Sequence, residues 1–364
     1  MLMLDRFVAL DLGSVLQVVI LGFIGGVLSG FIGSGGAFFM TPGMMNLGVP
    51  GVVAVGSNIA HKFGKAMMGS RRHRELGNVD QRLAFFLILT SFVGIRLAVW
   101  INSLMFESSG GSHGEGGGSA MSNLYISLVF IGILSFVGAS MLKDALSSRA
   151  EEAGHAPSPK IAALLARIHA PPYINFPVAD VRVSLWVLLL VGLATGYMAG
   201  TIGVGGFIGV PAMIYVFGVP TAVAAGTELY LAMFMGAFGA INYAYQGFVD
   251  IRLTLLLYLG SLIGVYVGAY GTKVVREVVI RLVTGTVIIL CVVSRAIALP
   301  VYLRQLGFVD LDERLDPVFN QLSKAFLFVA GVSGMALILF HVIRAYLQRR
   351  RIEATLLGEA VARR

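Results

Sequence analysis

The sequence is poor in cysteine and in charged residues. Cys291 is the only cysteine among 364 residues and lies in an apolar run, which excludes a disulfide framework and a cysteine metal cluster. Charged residues make up 13% of the chain and hydrophobic residues 57%, whereas about a quarter of a soluble domain is charged. An ordinary soluble protein is therefore excluded.

What the sequence does contain is long apolar runs and 46 glycines. Several runs reach about 20 residues, enough to cross a bilayer, and glycine lets helices approach closely in lipid. The net charge of +8 is typical of basic cytoplasmic loops, and no aromatic-interleaved basic module indicates nucleic-acid binding. No residue spacing indicates a metal site or a cofactor, and the glycine-rich segments do not follow a strand as a dinucleotide fingerprint would.

One glycine-broken apolar segment occurs twice. It spans Gly30–Met40 and again Gly200–Val210, an offset of 170 residues, and the same offset relates two Gly-Val-Pro tripeptides that begin at Gly48 and Gly218. A period this long indicates a duplicated half. Paired glycine-interrupted segments in the two halves of a membrane protein point to the central site of a transporter.

The charge of equivalent loops predicts that the halves are inverted. Loop 70–82 is rich in arginine and is expected in the cytoplasm, whereas its counterpart 240–251 has no lysine or arginine and is expected outside. We therefore predict an all-α polytopic membrane protein with two inverted repeats, each with a glycine-broken re-entrant hairpin, about seven full spans and an outside N-terminus. The predicted parts are the first transmembrane repeat 1–142, the cytoplasmic connection 143–182, the second repeat with the final span 183–347, and the basic cytoplasmic tail 348–364. Within the connection, a short helix is predicted over 160–169.

The repeated residues resemble the TauE/SafE family of sulfite and organosulfonate exporters. The resemblance depends on the doubled pattern G-x-x-x-G-x-x-G-x-G-G, which begins at Gly26 and at Gly196, and on the Gly-x-Val-Asp loops that end in Asp80 and Asp250. It implies a secondary carrier for a small sulfur-containing anion, with sulfite, sulfate, thiosulfate and small sulfonates as candidates. It also implies a multi-pass protein of the cell inner membrane that exports its substrate.

The glycine breaks have the chemistry to bind an anion. A half-helix that begins at a break presents unpaired N–H groups and the positive end of its dipole; close helix packing is the alternative reading of these glycines. Polar residues of the second helix face the same region, although its lysines could instead extend to the cytoplasmic interface. The predicted substrate-binding residues are Ser34, Gly35, Gly36, Asn58, His61, Lys65, Gly205, Gly206 and Thr227.

Glu228 is the only acid within the predicted spans, and ionisable residues there are functional candidates. It stands at the repeat position of Asn58. We expect either an ion pair with Lys62 or Lys65 that joins the repeats, or a protonatable carboxylate that couples transport to protons. Arg96 is a further candidate, either on the anion path or as a structural partner.

The residues leave several functions open besides export. The same architecture fits an anion uptake carrier or an anion channel. An intramembrane hydrolase would use Ser34 with His61, but the order of residues around Ser34 differs from G-x-S-G, and a membrane scaffold would need neither residue. The favoured interpretation is a transporter and not an enzyme, and the expected partners are a small anion, membrane lipid and, if coupling applies, protons.

Overall fold

The computed structural model describes residues 10–32, 36–108, 119–150, 171–203, 205–275 and 277–362. Predictions for Ser34, Gly35, most of the loop 108–119 and the helix 160–169 lie outside these residues. In chain order the elements are α1 (Leu12–Ile32), α2 (Ala37–Asn46), α3 (Gly51–Glu75), α4 (Gln81–Glu107), α5 (Ala120–Ala150), β1 (Tyr173–Phe176), β2 (Val181–Ser184), α6 (Leu185–Ile202), α7 (Gly206–Pro211) with a π-helical turn (Ala212–Val216), α8 (Thr221–Tyr245), α9 (Ile251–Val274), α10 (Glu277–Gln305), a 3-10 turn (Glu313–Leu315) and α11 (Asp316–Ala362).

The two halves pack against each other through equivalent helix pairs. Helix α1 of the first half packs along α9 of the second, and α6, the repeat of α1, packs along α4, the repeat of α9. A Cβ added at Gly22 would lie 2.7 Å from the carbonyl oxygen of Leu257, and one at Gly192 would lie 2.8 Å from that of Leu87. Because both pairs differ by the offset of 170, the same backbone approach is built twice.

Small residues at every fourth position make this approach continuous. Gly22 and Gly26 of α1 pack against Leu257 and Ser261 of α9, so the two helices are parallel and in constant register. Residues four apart lie on one helix face, and small residues there allow the backbones of membrane helices to come close. The two halves therefore share this close backbone packing as well as their sequence pattern.

Helices that are repeats of each other pack antiparallel. Ile59 of α3 contacts Gly239 of α8, and Phe63, one turn later in α3, contacts Gly236, earlier in α8. Helices α5 and α10 also pair, with Gly138 against Ile288. These two pairs of helices therefore join the halves.

The Gly-x-Val-Asp loops tie the halves together. The Asp80 backbone N–H donates to the Thr227 hydroxyl, and the Asp250 N–H donates to the Ser57 hydroxyl, each at 3.0 Å. Each aspartate also caps the helix that follows, because Asp80 Oδ1 accepts from the Leu83 N–H and Asp250 Oδ1 from the Arg252 N–H. Such caps stabilise a helix start by about 1 kcal/mol.

In the described part of the chain, eight helices are long and apolar enough to cross a membrane. Six are predicted full spans, and the other two, within α1 and α6, are the first limbs of the broken segments. The seventh predicted span, α3, is outside the eight and carries the basic residues. Outward faces bear large apolar side chains such as Leu89, Val93 and Trp100 of α4. The all-α polytopic prediction is therefore confirmed.

Two features add to the predicted organisation of the chain. The connection 143–182 ends in an antiparallel hairpin of β1 and β2, whose turn is held where the Ala179 N–H donates to Asp80 Oδ2 at 3.0 Å. The last span continues without interruption into the basic tail, since α11 runs to Ala362. Its arginines are good helix formers, so the change in charge at 348 does not end the helix.

Candidate functional site

Asn58 of α3 lies between residues that flank the two glycine breaks. Its side-chain amide donates to the Thr41 hydroxyl at 2.8 Å and to the carbonyl oxygen of Ala37, the first residue of α2 after the first break, at 3.4 Å. A Cβ added at Gly203, which ends α6 at the second break with a left-handed φ of 79°, would lie 3.3 Å from the same amide nitrogen. Asn58 is 1% exposed, and its Oδ1 has no hydrogen-bond partner among the described residues.

The next turns of α3 direct basic groups to α1 and α9. His61 Nε2 lies 2.7 Å from the Ser261 hydroxyl, and its ring packs on Tyr258 with centroids 4.7 Å apart. Lys65 donates from Nζ to the Ser29 hydroxyl at 2.8 Å. His61 therefore joins α3 to a helix of the other half, whereas Lys65 joins α3 to α1 of its own half.

Lys62 lines a small cavity between the repeats. The cavity has a volume of about 10 Å³, which accommodates about one water molecule. Helices α3, α4, α6 and α8 all contribute to its wall, and Gly203 at the second break is part of it. A basic side chain thus lines a small space beside Gly203.

Glu228 of α8 is buried close to the short helix α7. The carboxylate is 4% exposed, and neither of its oxygens has a hydrogen-bond partner among the described residues. A Cβ at Gly209 would collide with Oε2, so glycine makes room for the carboxylate. Among the described residues the Glu228 carboxylate makes no contact ion pair, so the ion pair expected with Lys62 or Lys65 is not formed in this conformation.

The predicted glycines lie at the starts of the half-helices. Gly36 precedes α2 and approaches the backbone of Gly25 so closely that a Cβ would clash with its carbonyl oxygen. Gly205 precedes α7, where a Cβ would lie 2.9 Å from that of Ala199, and Gly206 is the first residue of α7. Close packing accounts for the glycine at positions 36 and 205, and this is compatible with N–H groups that face the break.

Two predicted residues lie apart from this cluster. The Thr227 hydroxyl accepts the Asp80 N–H in the loop before α4, so it serves the contact between the halves. Arg96 is on the exposed face of α4, where it donates to Asn242 Oδ1 at 3.0 Å. Its position fits the structural role rather than the role on the path.

Three residues that the sequence did not single out complete the site. Ser261 was detectable, because Ser91 is its identical counterpart 170 residues earlier. Ser29 and Thr41 correspond to Ala199 and Pro211, so comparison of the repeats gives no signal for either. Their roles emerge only from the packing of α1 and α2 against α3.

Comparison with known proteins agrees with this architecture. The chain is 24% identical to Probable membrane transporter protein YdhB of Bacillus subtilis (strain 168) over 272 residues, which cover 72% of this chain and 93% of the relative. It is 24% identical to Probable membrane transporter protein YjnA of the same organism over 255 residues, covering 70% of this chain and 89% of that relative. No solved structure matches the chain significantly.

The family comparison covers both glycine breaks and the whole of α3. A profile described as Sulfite exporter TauE/SafE matches residues 18–295. The match includes every residue of the cluster built around Asn58, and it ends within α10. This chain is a multi-pass membrane transporter that belongs to the TauE/SafE sulfite exporter family.

Proposed function

We propose that this protein is a secondary transporter that exports a small sulfur-containing anion, such as sulfite, across the cell inner membrane. The observation that supports this most directly is the position of Asn58, which touches both glycine breaks and stands on the same buried helix as His61, Lys62 and Lys65. The family description supplies the substrate class and the direction.

The charge of the cluster favours an anion. Two lysines and one carboxylate give a net positive charge when all are ionised, in an interior where charge is costly unless a partner stabilises it. Hydroxyl and amide groups of Ser29, Thr41 and Asn58 add hydrogen-bonding capacity. A small oxyanion with several acceptor oxygens complements this set.

The helix arrangement supports alternating access. Helices α3 and α8 correspond in the repeat and pack antiparallel, which is the arrangement expected if the halves are inverted. Inverted halves would be related by a two-fold axis perpendicular to these helices, which lies in the membrane plane when the helices run along the membrane normal. In such transporters the site lies near the midplane and one half moves against the other.

The small cavity supports a cycle that includes a wider state. A space of about 10 Å³ beside Lys62 accommodates one water and is too small for sulfite. Substrate would therefore enter a wider state, and the backbone freedom of glycine at Gly36 and Gly205 would let the half-helices move to form it. Opening on one side and then on the other would carry the anion across.

Glu228 supports proton coupling as part of the proposal. A buried carboxylate without a hydrogen-bond partner is costly as an anion, and protonation relieves that cost. Movement of α7 or of Lys62 would change its surroundings during the cycle. A proton bound in one state and released in the other would couple transport to the pH gradient.

The test is transport of radiolabelled sulfite by purified protein in liposomes. We expect saturable uptake, competition by unlabelled sulfur anions, and loss of most transport in Lys62→Met and Asn58→Ala. Lys143→Met, an exposed lysine at the end of α5, is the matched control and should behave as wild type. If folded protein moves none of the sulfur anions, the substrate class is wrong.

Two further measurements separate the mechanisms. A carrier accelerates exchange of labelled for unlabelled anion without a conductance, whereas a channel gives a current. Glu228→Gln should abolish the response to an imposed pH gradient while exchange continues. A variant that stays fully responsive to the gradient would remove proton coupling from the proposal. Sulfite-sensitive cells that express the protein should accumulate less sulfite if it exports.

A further inference from the structure

A second buried cation lies well away from the glycine breaks. Arg295 of α10 is 1% exposed and is the largest fully buried side chain in the described part of the protein. Asn46, the last residue of α2, hydrogen-bonds to Ser294 and Ser323 beside Arg295. Ala37, at the other end of α2, contacts Asn58. Nine residues of helix separate these ends by about 14 Å.

The guanidinium is poorly satisfied by the protein. It donates from Nη1 to the Tyr302 hydroxyl at 3.4 Å and from Nη2 to the Ser323 hydroxyl at 3.3 Å, both long for hydrogen bonds. Its Nε has no hydrogen-bond partner, and no carboxylate among the described residues pairs with it. Five N–H donors and a full charge thus have two weak acceptors.

Neutral polar groups surround this charge. Ser294 and Ser323 hydroxyls lie 3.1 Å apart, and the Asn46 amide donates to Ser294 at 3.0 Å. Cys291, one turn earlier on α10, is a buried thiol. In this conformation the Ser294 hydroxyl donates to the Ser323 carbonyl oxygen and the Ser323 hydroxyl to the Ser294 carbonyl oxygen, each at 2.7 Å. A hydroxyl can rotate to donate to a new acceptor, but none of these groups neutralises a guanidinium.

We infer that Arg295, Ser294, Ser323 and Asn46 form a second anion-binding site, distinct from the one at the glycine breaks. A buried charge is retained only when something compensates it, and a guanidinium ringed by hydroxyl and amide donors is suited to a small inorganic anion. The ligand class is a halide or a small oxyanion. The inference does not depend on the proposed transport function, since binding is measured without transport.

The first test is anion-dependent stability of the detergent-solubilised protein. Unfolding is followed by circular dichroism in sodium gluconate, with chloride, bromide or sulfite substituted at constant ionic strength. We expect a saturable rise in the unfolding temperature of the wild type. Arg295→Met should lose the part of this temperature rise that depends on Arg295. In gluconate it should be at least as stable as wild type, because the uncompensated charge is gone.

Matched variants assign the effect to this site. Arg304→Gln removes an arginine of the same helix that Asp316 already neutralises, and its anion response should equal that of wild type. His61→Ala removes any contribution of the site at the breaks and should retain the Arg295-dependent response. Ser323→Ala should weaken the apparent affinity for the anion without loss of fold.

Direct localisation decides the matter even if Arg295→Met fails to fold. Crystals of the wild type grown in bromide should give an anomalous peak within hydrogen-bonding distance of the Arg295 guanidinium. Saturation by halides alone identifies the ligand as a halide, and saturation by sulfite identifies it as a small oxyanion; either result supports the site. The inference is overturned if no peak lies beside Arg295, or if Arg295→Met keeps the full anion response.

Discussion

The close approach of α1 to α9 makes Gly26 a sensitive position. A Cβ added there would lie 2.6 Å from the carbonyl oxygen of Ser261 and 2.7 Å from its Cα. Carbon and carbonyl oxygen atoms normally approach to about 3.3 Å, so Gly26→Ala must separate the backbones by roughly 0.7 Å. Neither atom belongs to a side chain that could rotate away.

The expected cost follows from this separation. Overpacking by one methylene costs about 1–3 kcal/mol, and here close backbone contacts of the neighbouring glycines on α1 are also loosened. Gly132 of α5 is the matched control, because a Cβ there meets nothing within 4 Å. Alanine favours helix over glycine by up to about 1 kcal/mol, so Gly132→Ala should be neutral or stabilising.

Cys291 provides the assay. It is the only cysteine and is buried, so a thiol-reactive fluorescent dye reports the temperature at which the helix core opens. Gly26→Ala should unfold at a lower temperature than wild type and Gly132→Ala at the same or a higher one. Gly196→Ala, which meets Ser91 in the equivalent contact, should repeat the effect. Equal unfolding temperatures for Gly26→Ala and Gly132→Ala would refute the argument from backbone contact.

Three other predictions concern contacts between the halves. Thr227→Val leaves the buried Asp80 N–H without its acceptor and should lower stability by about 1–3 kcal/mol in the same thiol assay, with Ser57→Ala giving a similar loss if the two loops are equivalent. In a double-mutant cycle, the loss of stability in the variant with both Lys62→Met and Glu228→Gln should be smaller than the summed losses in the two single variants, with a coupling energy below about 4 kcal/mol. Strictly additive losses would show that the two side chains do not interact. Burial lowers the pKa of His73 below its ordinary value of about 6.5, so the neutral ring is favoured in the folded state. The protein should therefore keep its full stability above about pH 6.5 and lose stability as the pH falls towards the lowered pKa. This pH-dependent loss should be absent in His73→Gln.

Much of the fold could be predicted from the sequence because the repeat constrains it twice. Apolar runs predicted the spans, and paired glycines predicted the interruptions after Ile32 and Ile202. Asp80 and Asp250, which belong to the motif that resembles the family, cap the helices that follow them. An aspartate just before an apolar helical run is a typical N-cap. Local signals of this kind need no knowledge of long-range packing.

Which helices pack against each other could not be predicted from the sequence. Nothing in α1 indicates that its glycines face Ser261 of α9 rather than Ser91 of α4, since both serines occupy the same repeat position. The hairpin of β1 and β2 is also absent from the prediction, because two four-residue strands in a polar connection carry little periodicity. The Asp80 carboxylate that holds its turn lies 99 residues away in sequence.

The repeat also separates framework from function. Backbone contacts are alike in the two halves, as for Gly22 with Leu257 and Gly192 with Leu87. The charged residues of the site are not duplicated: Asn58, His61, Lys62 and Lys65 of α3 correspond to Glu228, Leu231, Ala232 and Met235 of α8. An exactly symmetric site would place two lysine sets or two carboxylates face to face, which repel. Divergence at these positions instead places basic residues on α3 and a carboxylate on α8, so the site that we propose combines opposite charges on a duplicated scaffold.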